Sequence, residues 1–244
     1  MKRILILGGT GDAIKIALKT SELIDFKTIY SLAGRTNRPN IPPCEIQTGG
    51  FGGVNGLINY LQTAKIDIVV DATHPFADKI AANAAESCDR IGIPRIKFCR
   101  PAWKKNGISW ISSPDYVDTV KKLKSMGERI FLSIGTNKLE TFSILSNKWF
   151  LVRTIDKPIL PIPLRNYRTL IDRGPFKEIQ EHALLTKFSI DVLVSKNSGG
   201  VPAAKLHAAY KLGIPIIMIE EPSPPAGKVA NTIDKTLEWL IQQN

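Results

Sequence analysis

Three glycines, Gly8, Gly9 and Gly11, directly follow the apolar run "ILIL" and open a stretch, "GDAIKIALKTS", with apolar residues at helical spacing. In a strand–turn–helix unit such glycines let the backbone approach a diphosphate, and the helix N-terminus favours its negative charge. Gly8, Gly11 and the small Ala13 make a compact variant of the dinucleotide fingerprint. A carboxylate some 20 residues on would grip a ribose hydroxyl. Here the second apolar strand runs into "SLAGRTNRP", where Arg35 and Arg38 stand instead. An arginine fork suits a 2′-phosphate, which points to NADP rather than NAD. The segment "DATHPFA" then sets Asp71, Thr73 and His74 at the end of a nearly all-apolar strand. Ligands of parallel sheets bind at such ends, and Pro75 holds His74 towards an extended backbone. His74 can supply a proton or a hydrogen bond there, or simply brace the loop. His182 and His207 fall on predicted helices and read as structural. In the later half, "KNSGG" (Lys196, Asn197, Ser198, Gly199, Gly200) follows a strand and precedes a helix, as an anion- or ligand-binding loop would. "SIGT", Ser133 to Thr136, is a further strand end with a weaker pattern.

The elements that must position these residues alternate. Strands are predicted at "RILILG", "FKTIYSLA", "IDIVVDAT" and "IPRIKFC", with helices at "GDAIKIALKTS", "VNGLINYLQTAK" and "ADKIAANAAESCDRIG". After a break at "RPAWKKNGISWISSPD" the alternation resumes with helices at "YVDTVKKLKSMG", "NKLETFSIL", "PFKEIQEHALLTKF", "PAAKLHAAYKLG" and "TIDKTLEWLIQQ". The strands between them are "RIFLSIGT", "WFLVRTID", "IDVLVSKNSGG" and "IPIIMIE". Such alternation gives α/β architecture with parallel sheets. The reading is two Rossmann-like domains with a cleft between them: 1–101 for the dinucleotide and 102–244 as the second domain.

At 244 residues and 43% hydrophobic content the chain can bury a substantial core. Its longest apolar runs fall far short of the roughly 20 residues of a membrane span. The run after Lys2 and Arg3 is too short for a signal peptide. Cys44, Cys88 and Cys99 form no paired or metal-ligand spacing, so free thiols in a reducing cytoplasm and no metal are expected. The net charge of +11 implies an anionic partner or a basic proteome. The cations are spread along the chain, unlike a nucleic-acid arm. One local group, Arg153, Lys157, Arg165, Arg168 and Arg173 around the proline-rich "DKPILPIPL", is either a solvated face or a basic wall for an acidic ligand.

Taken in order, "ILILGGTGDA", "SLAGR", "GGFGG" with "GLINYL", "DATHPFA", "RPAW", "RGPF", "KNSGG" and "GIPIIMI" resemble the precorrin-6A reductases of cobalamin biosynthesis. The resemblance runs nearly end to end. It implies reduction of a ring double bond of precorrin-6A, or of its cobalt form, with NADPH or NADH. It implies cofactor contacts at Gly8, Thr10, Gly11, Asp12, Arg35, Gly50, Phe51, Gly52, Gly53, Thr73, His74 and Pro75, to which the residue pattern adds Arg38. It places the polycarboxylate macrocycle at Lys196, Asn197, Ser198, Gly199 and Gly200, with Arg153 and Arg173 as carboxylate partners. One departure is that Asn137 and Lys138 follow "SIGT" where an arginine is expected.

The cofactor would carry the hydride chemistry, so placement is the protein's main task. The matching proton can come from His74, Lys196 or a bound water. No membrane, nucleic acid or obligate protein partner is implied. Two other readings remain at this stage. One is another NADP-dependent oxidoreductase with an anionic substrate; of these, the short-chain class lacks support, since none of the five tyrosines has a lysine four residues later. The other, suggested by charge alone, is a nucleic-acid-binding module with a salt-steep affinity.

Overall fold

The computed structural model describes residues 1–34, 39–200 and 203–243. The chain divides into two compact units: Met1–Pro101 together with Pro222–Asn244, and Ala102–Glu221. Each is built on a six-stranded, wholly parallel sheet.

The first unit runs β1 (Lys2–Leu7), α1 (Gly11–Ser21), β2 (Phe26–Leu32), β3 (Glu45–Thr48), α2 (Val54–Thr63), β4 (Ile68–Asp71), α3 (Asp78–Ile91) and β5 (Arg95–Phe98). Alternation along β1 splits its side chains between two cores. Ile4 and Ile6 pack with Ala13, Ile16 and Ala17 of α1, whereas Leu5 and Leu7 pack with Leu57 and Leu61 of α2 and Ala84 and Cys88 of α3. The helices therefore cover both faces, as a sheet of parallel strands requires.

The second unit runs β6 (Ile111–Ser113), α4 (Tyr116–Leu123), β7 (Arg129–Ser133), a 3-10 turn at Leu139–Phe142, β8 (Trp149–Thr154), β9 (Tyr167–Ile171), α5 (Glu178–Lys187), β10 (Val192–Lys196), α6 (Ala204–Lys211) and β11 (Ile216–Ile219). Phe131, Leu151, Leu193 and Met218 of its sheet pack against Leu185 and Leu206, with Trp103 and Trp110 from the connecting stretch.

The chain then returns to the first unit as β12 (Lys228–Ala230) and α7 (Ile233–Gln242). The sequence reading gave everything after residue 101 to the second domain, and the last segment corrects it. β12 pairs with β5, Leu240 and Ala230 are buried in the first core, and Lys19 meets Asp234 at 3.0 Å. Three residues of strand after "EPSPPAG" are too few to show a period of two.

The strand orders are β12-β5-β4-β1-β2-β3 and β6-β11-β10-β7-β8-β9. Read from the other edge, β9-β8-β7-β10-β11 repeats the connectivity of β3-β2-β1-β4-β5, while the sixth strands differ: β6 precedes β7 in the chain and β12 follows β5. The order reverses beside β1 in the first sheet and beside β7 in the second. The two switch points, where such sheets bind ligands, thus lie between β1 and β4 and between β7 and β10. The short edge strands β3, β6, β9 and β12 were not anticipated. The helix expected over "NKLETFSIL" is only the 3-10 turn, where Thr141, Phe142 and Ser143 are weak helix formers.

Candidate active site

At the first switch point the residues after β1 and β4 are joined directly. Thr10 caps α1: its Oγ1 accepts from the Ala13 amide at 3.0 Å and donates to the Ala72 carbonyl at 3.0 Å. Gly8 is held by close packing, since a Cβ there would sit 2.3 Å from the Tyr30 ring. Tyr30 Oη in turn accepts from the Gly9 amide at 3.0 Å, and Gly9 has φ +103°. Burial pushes the Tyr30 hydroxyl above its ordinary pKa, so it stays protonated through the neutral range. Gly11 has open space where a side chain would begin. As first residues of α1, Gly11 and Asp12 offer amides without intrahelical acceptors. The Asp12 carboxylate is ion-paired with Arg100 and lies 3.9 Å from Lys15. Arg100 thus offsets an acidic group at a helix end suited to phosphate.

The loop after β4 rests on a buried polar knot. Asp71 Oδ1 accepts from the Thr73 hydroxyl at 2.6 Å, the Thr73 amide at 3.1 Å and the Lys97 ammonium at 2.9 Å. Lys97 also donates to the Thr73 carbonyl at 3.3 Å. Beyond this knot His74 is exposed, and its Nδ1 accepts from the Phe76 amide at 3.2 Å. A neutral ring in that arrangement carries its proton on Nε2.

"GGFGG" follows β3 and is tied to β2 through the Gly49 amide and the Leu32 carbonyl, 2.8 Å apart. Gly49, Gly52 and Gly53 all have positive φ, and Gly53 opens α2 without a side-chain cap. Gly56 packs against the backbone of this turn: a Cβ there would fall 1.7 Å from the Phe51 carbonyl oxygen. Gly8, Thr10, Gly11, Asp12, Gly50, Phe51, Gly52, Gly53, Thr73, His74 and Pro75 therefore all gather at the carboxyl ends of the adjacent strands β3, β2, β1 and β4. Arg35 and Arg38 lie outside the described residues.

In the second unit, Lys196 ends β10, and Ser198, Gly199 and Gly200 follow it. Asn197, read from sequence as a ligand contact, is 2% exposed and acts as a brace. Its Oδ1 accepts from the Trp103 amide at 2.8 Å, and its Nδ2 donates to the Trp103 carbonyl and Glu220 Oε2, both at 3.2 Å. Arg153 is likewise buried. It pairs with Glu181 at 2.8 Å, with the rings of Phe131 and Phe176 4.9 and 4.0 Å away. Arg173 is exposed on the loop after β9, and Arg168 lies over the Phe188 ring at 5.2 Å, so the basic group of 153–173 is not a single wall.

The sequence reading assigned no role to Tyr30, Lys97 or Arg100. A lysine inside the buried strand "RIKF" was the available signal, because buried cations need partners. Among the described residues, no group of three or more His, Cys, Asp or Glu could hold a metal, and no helix is long and apolar enough to cross a membrane. A surface hollow along α3, lined by Ala85, Glu86, Asp89 and Pro225, contains none of the site residues.

Fold and site together define an α/β protein of two Rossmann-like units, the first bearing a glycine turn and the Thr10-capped start of α1 at its switch point. The family model described as precorrin-6x reductase CbiJ/CobK matches residues 3–241. The chain is 42% identical over 243 residues to the precorrin-6A reductase of Rhodococcus erythropolis, covering 98% of each chain. It is 40% identical over 242 residues to that of Rhodobacter capsulatus, covering 98% of this chain and 96% of that one. A solved structure of CobK precorrin-6A reductase superposes with a TM-score of 0.90 at 38% identity, covering 100% of this chain and 98% of the other. The chain belongs to the precorrin-6x reductase family, and it is a reductase.

Proposed function

We propose that this chain uses NADPH to reduce a ring double bond of precorrin-6A, giving the dihydro product in cobalamin biosynthesis. In this reading the first unit takes the dinucleotide and the second takes the macrocycle. The contrast between the two switch points carries this assignment. After β1 a glycine turn leads into the 11-residue helix α1, capped by Thr10. After β7, "SIGT" leads only to a 3-10 turn. A diphosphate is favoured by a helix N-terminus reached directly through a glycine turn, and α1 offers one immediately after β1, with no cation in its first turn. The two relatives at or above 40% identity are named for the metal-free substrate, which favours precorrin-6A over its cobalt form.

The nicotinamide cofactor, when bound, supplies the hydride. The chain's own residues do the rest. The amides of Gly11 and Asp12 meet phosphate oxygens, since the Gly9 amide is engaged by Tyr30. Arg35 and Arg38 select the 2′-phosphate. The Asp71–Thr73–Lys97 knot fixes the backbone from which His74 projects. His74 Nε2 then presents a proton near the reacting carbon, with Lys196 as the second candidate donor. Anaerobic turnover of precorrin-6A and its cobalt form with NADPH and NADH, followed by absorbance, tests the reading. Rapid oxidation of NADPH by the metal-free macrocycle is expected, and no oxidation with either macrocycle would refute it.

A further inference from the structure

The second switch point holds a lysine, Lys205, that the reading above leaves unused. Strands β10, β7 and β8 are neighbours, and Ser133 at the end of β7 is in register with Ser195 of β10. Leu132 is in register with Val152, which brings Arg153 of β8 level with Ser133. Lys196 ends β10 beside them. From α6, Lys205 sends its ammonium to Ser133 Oγ at 2.7 Å.

The balance of charge is uneven. Glu181 on α5 is 1% exposed and already paired with Arg153. Among the described residues, Lys205 has no carboxylate ion-pair partner and rests on a neutral hydroxyl. It is also the second residue of its helix, with no acidic residue in the first turn. A cation is unfavourable at that end of a helix dipole. Burial, together with the charges of Arg153 and Lys196, pushes the Lys205 ammonium down to about 8, against the opposing pull of Glu181. β11, the other element packed on α6, carries no ionisable residue. Glu181 Oε2 and Arg153 Nε are buried without a hydrogen-bond partner, so the ion pair leaves polar capacity beside Lys205. A half-buried lysine resting on a neutral hydroxyl, without a carboxylate ion-pair partner among the described residues, describes a place prepared for an anion.

We propose that Lys205 and Ser133 form a carboxylate subsite at which the second unit holds the acidic periphery of its substrate. The proposal rests on the reading that this unit binds the macrocycle. A single ammonium beside a hydroxyl matches one carboxylate, the group that the periphery of such a macrocycle carries. Binding there selects the charged lysine. Affinity therefore holds below the pKa of the free site and falls as pH rises through it.

Uroporphyrin, a tetrapyrrole bearing acetate and propionate side chains, serves as the probe, titrated by fluorescence against the full chain from about pH 6.5 to 9.5. Wild type is expected to bind it with affinity that declines through about pH 8. Lys205→Met should weaken binding about tenfold at neutral pH and remove the decline, while Lys205→Arg should retain affinity and flatten the profile. NADPH affinity, measured alongside, reports folding. If wild type binds the probe and Lys205→Met binds it equally well at every pH, the subsite is refuted and the macrocycle reading stands. If wild type does not bind the probe, both are overturned. Should Lys205→Met fail to fold, Lys205→Arg decides: an unchanged decline near pH 8 overturns the proposal.

Discussion

Lys97 Nζ lies 2.9 Å from Asp71 Oδ1, with the two side chains 3% and 0% exposed. This ion pair anchors the strand end that carries His74, because Thr73 shares the same carboxylate oxygen. Removing one member strands a buried charge, at a cost of about 3–5 kcal/mol. Lys97→Met should lose that much in urea unfolding. Adding Asp71→Asn should restore a large part of it, because the uncompensated charge is gone. Simple additivity of the two losses would mean that the pair is not coupled.

Gly8 and Gly11 separate packing from binding. A Cβ at Gly8 meets the Tyr30 ring, while one at Gly11 meets nothing within 4 Å. Gly8→Ala should cost about 1–3 kcal/mol of stability through overpacking. Gly11→Ala sits in a helical first turn and should leave stability equal or slightly higher. Its methyl group instead stands where a diphosphate would approach, so its effect is expected in NADPH affinity. Thermal unfolding and NADPH titration of both variants check this, and loss of stability in Gly11→Ala with unchanged NADPH binding would reverse the assignment.

The proposed preference for NADPH assigns the 2′-phosphate to Arg35 and Arg38. Loss of a charge-assisted contact to the 2′-phosphate costs about 1.5–3 kcal/mol. Arg35→Ala should therefore weaken NADPH roughly 10- to 150-fold and leave NADH nearly unchanged. Equal dissociation constants of the wild type for the two cofactors would remove both arginines from that role.

The turn at Gly8–Gly11, the ends of β1 and β4, and the alternation that builds both sheets were legible, because they depend on local spacing. What escaped depends on residues far apart in sequence. Gly8 is fixed by Tyr30, Asp12 by Arg100, and Asp71 by Lys97; only folding brings these together. Asn197 looked like a ligand contact because it stands in a polar glycine loop, and its amide is instead matched to the backbone of Trp103. The return of β12 was hidden by its length, with pairing to β5 as its main support.

Lys205 gives a stability prediction of unusual sign. Its pKa falls from 10.5 to about 8 in the folded chain, so between those values the unfolded state binds more protons. Stability from this site therefore rises with pH across that window, and the charged lysine is unfavourable at neutral pH. Lys205→Met should raise stability at pH 7 by on the order of 1–2 kcal/mol, after allowing for partial exposure. The gain should shrink as the wild-type lysine loses its charge towards pH 10. Urea unfolding at both pH values reads this directly, and a loss at pH 7 would show that Lys205 stabilises the fold.

His74 separates proton donation from positioning. The Phe76 amide donates to Nδ1 at 3.2 Å, which leaves Nε2 as the proton-bearing atom of the neutral ring. If Nε2 delivers the proton that accompanies hydride transfer, His74→Ala should slow the chemical step by roughly 10²–10⁴-fold. His74→Asn can keep a hydrogen bond but cannot act as an acid in the neutral range, so it should be slowed to a similar degree. If the ring only orients a ligand, asparagine should recover much of the rate, and the alanine defect should lie mainly in binding. Single-turnover absorbance changes with both ligands saturating distinguish the cases, because saturation removes the binding contribution. Rates within a few-fold of wild type for both variants would exclude His74 as the donor. The same assay on Lys196→Met would then test the remaining side-chain source, with bound water as the alternative if that variant also reacts normally.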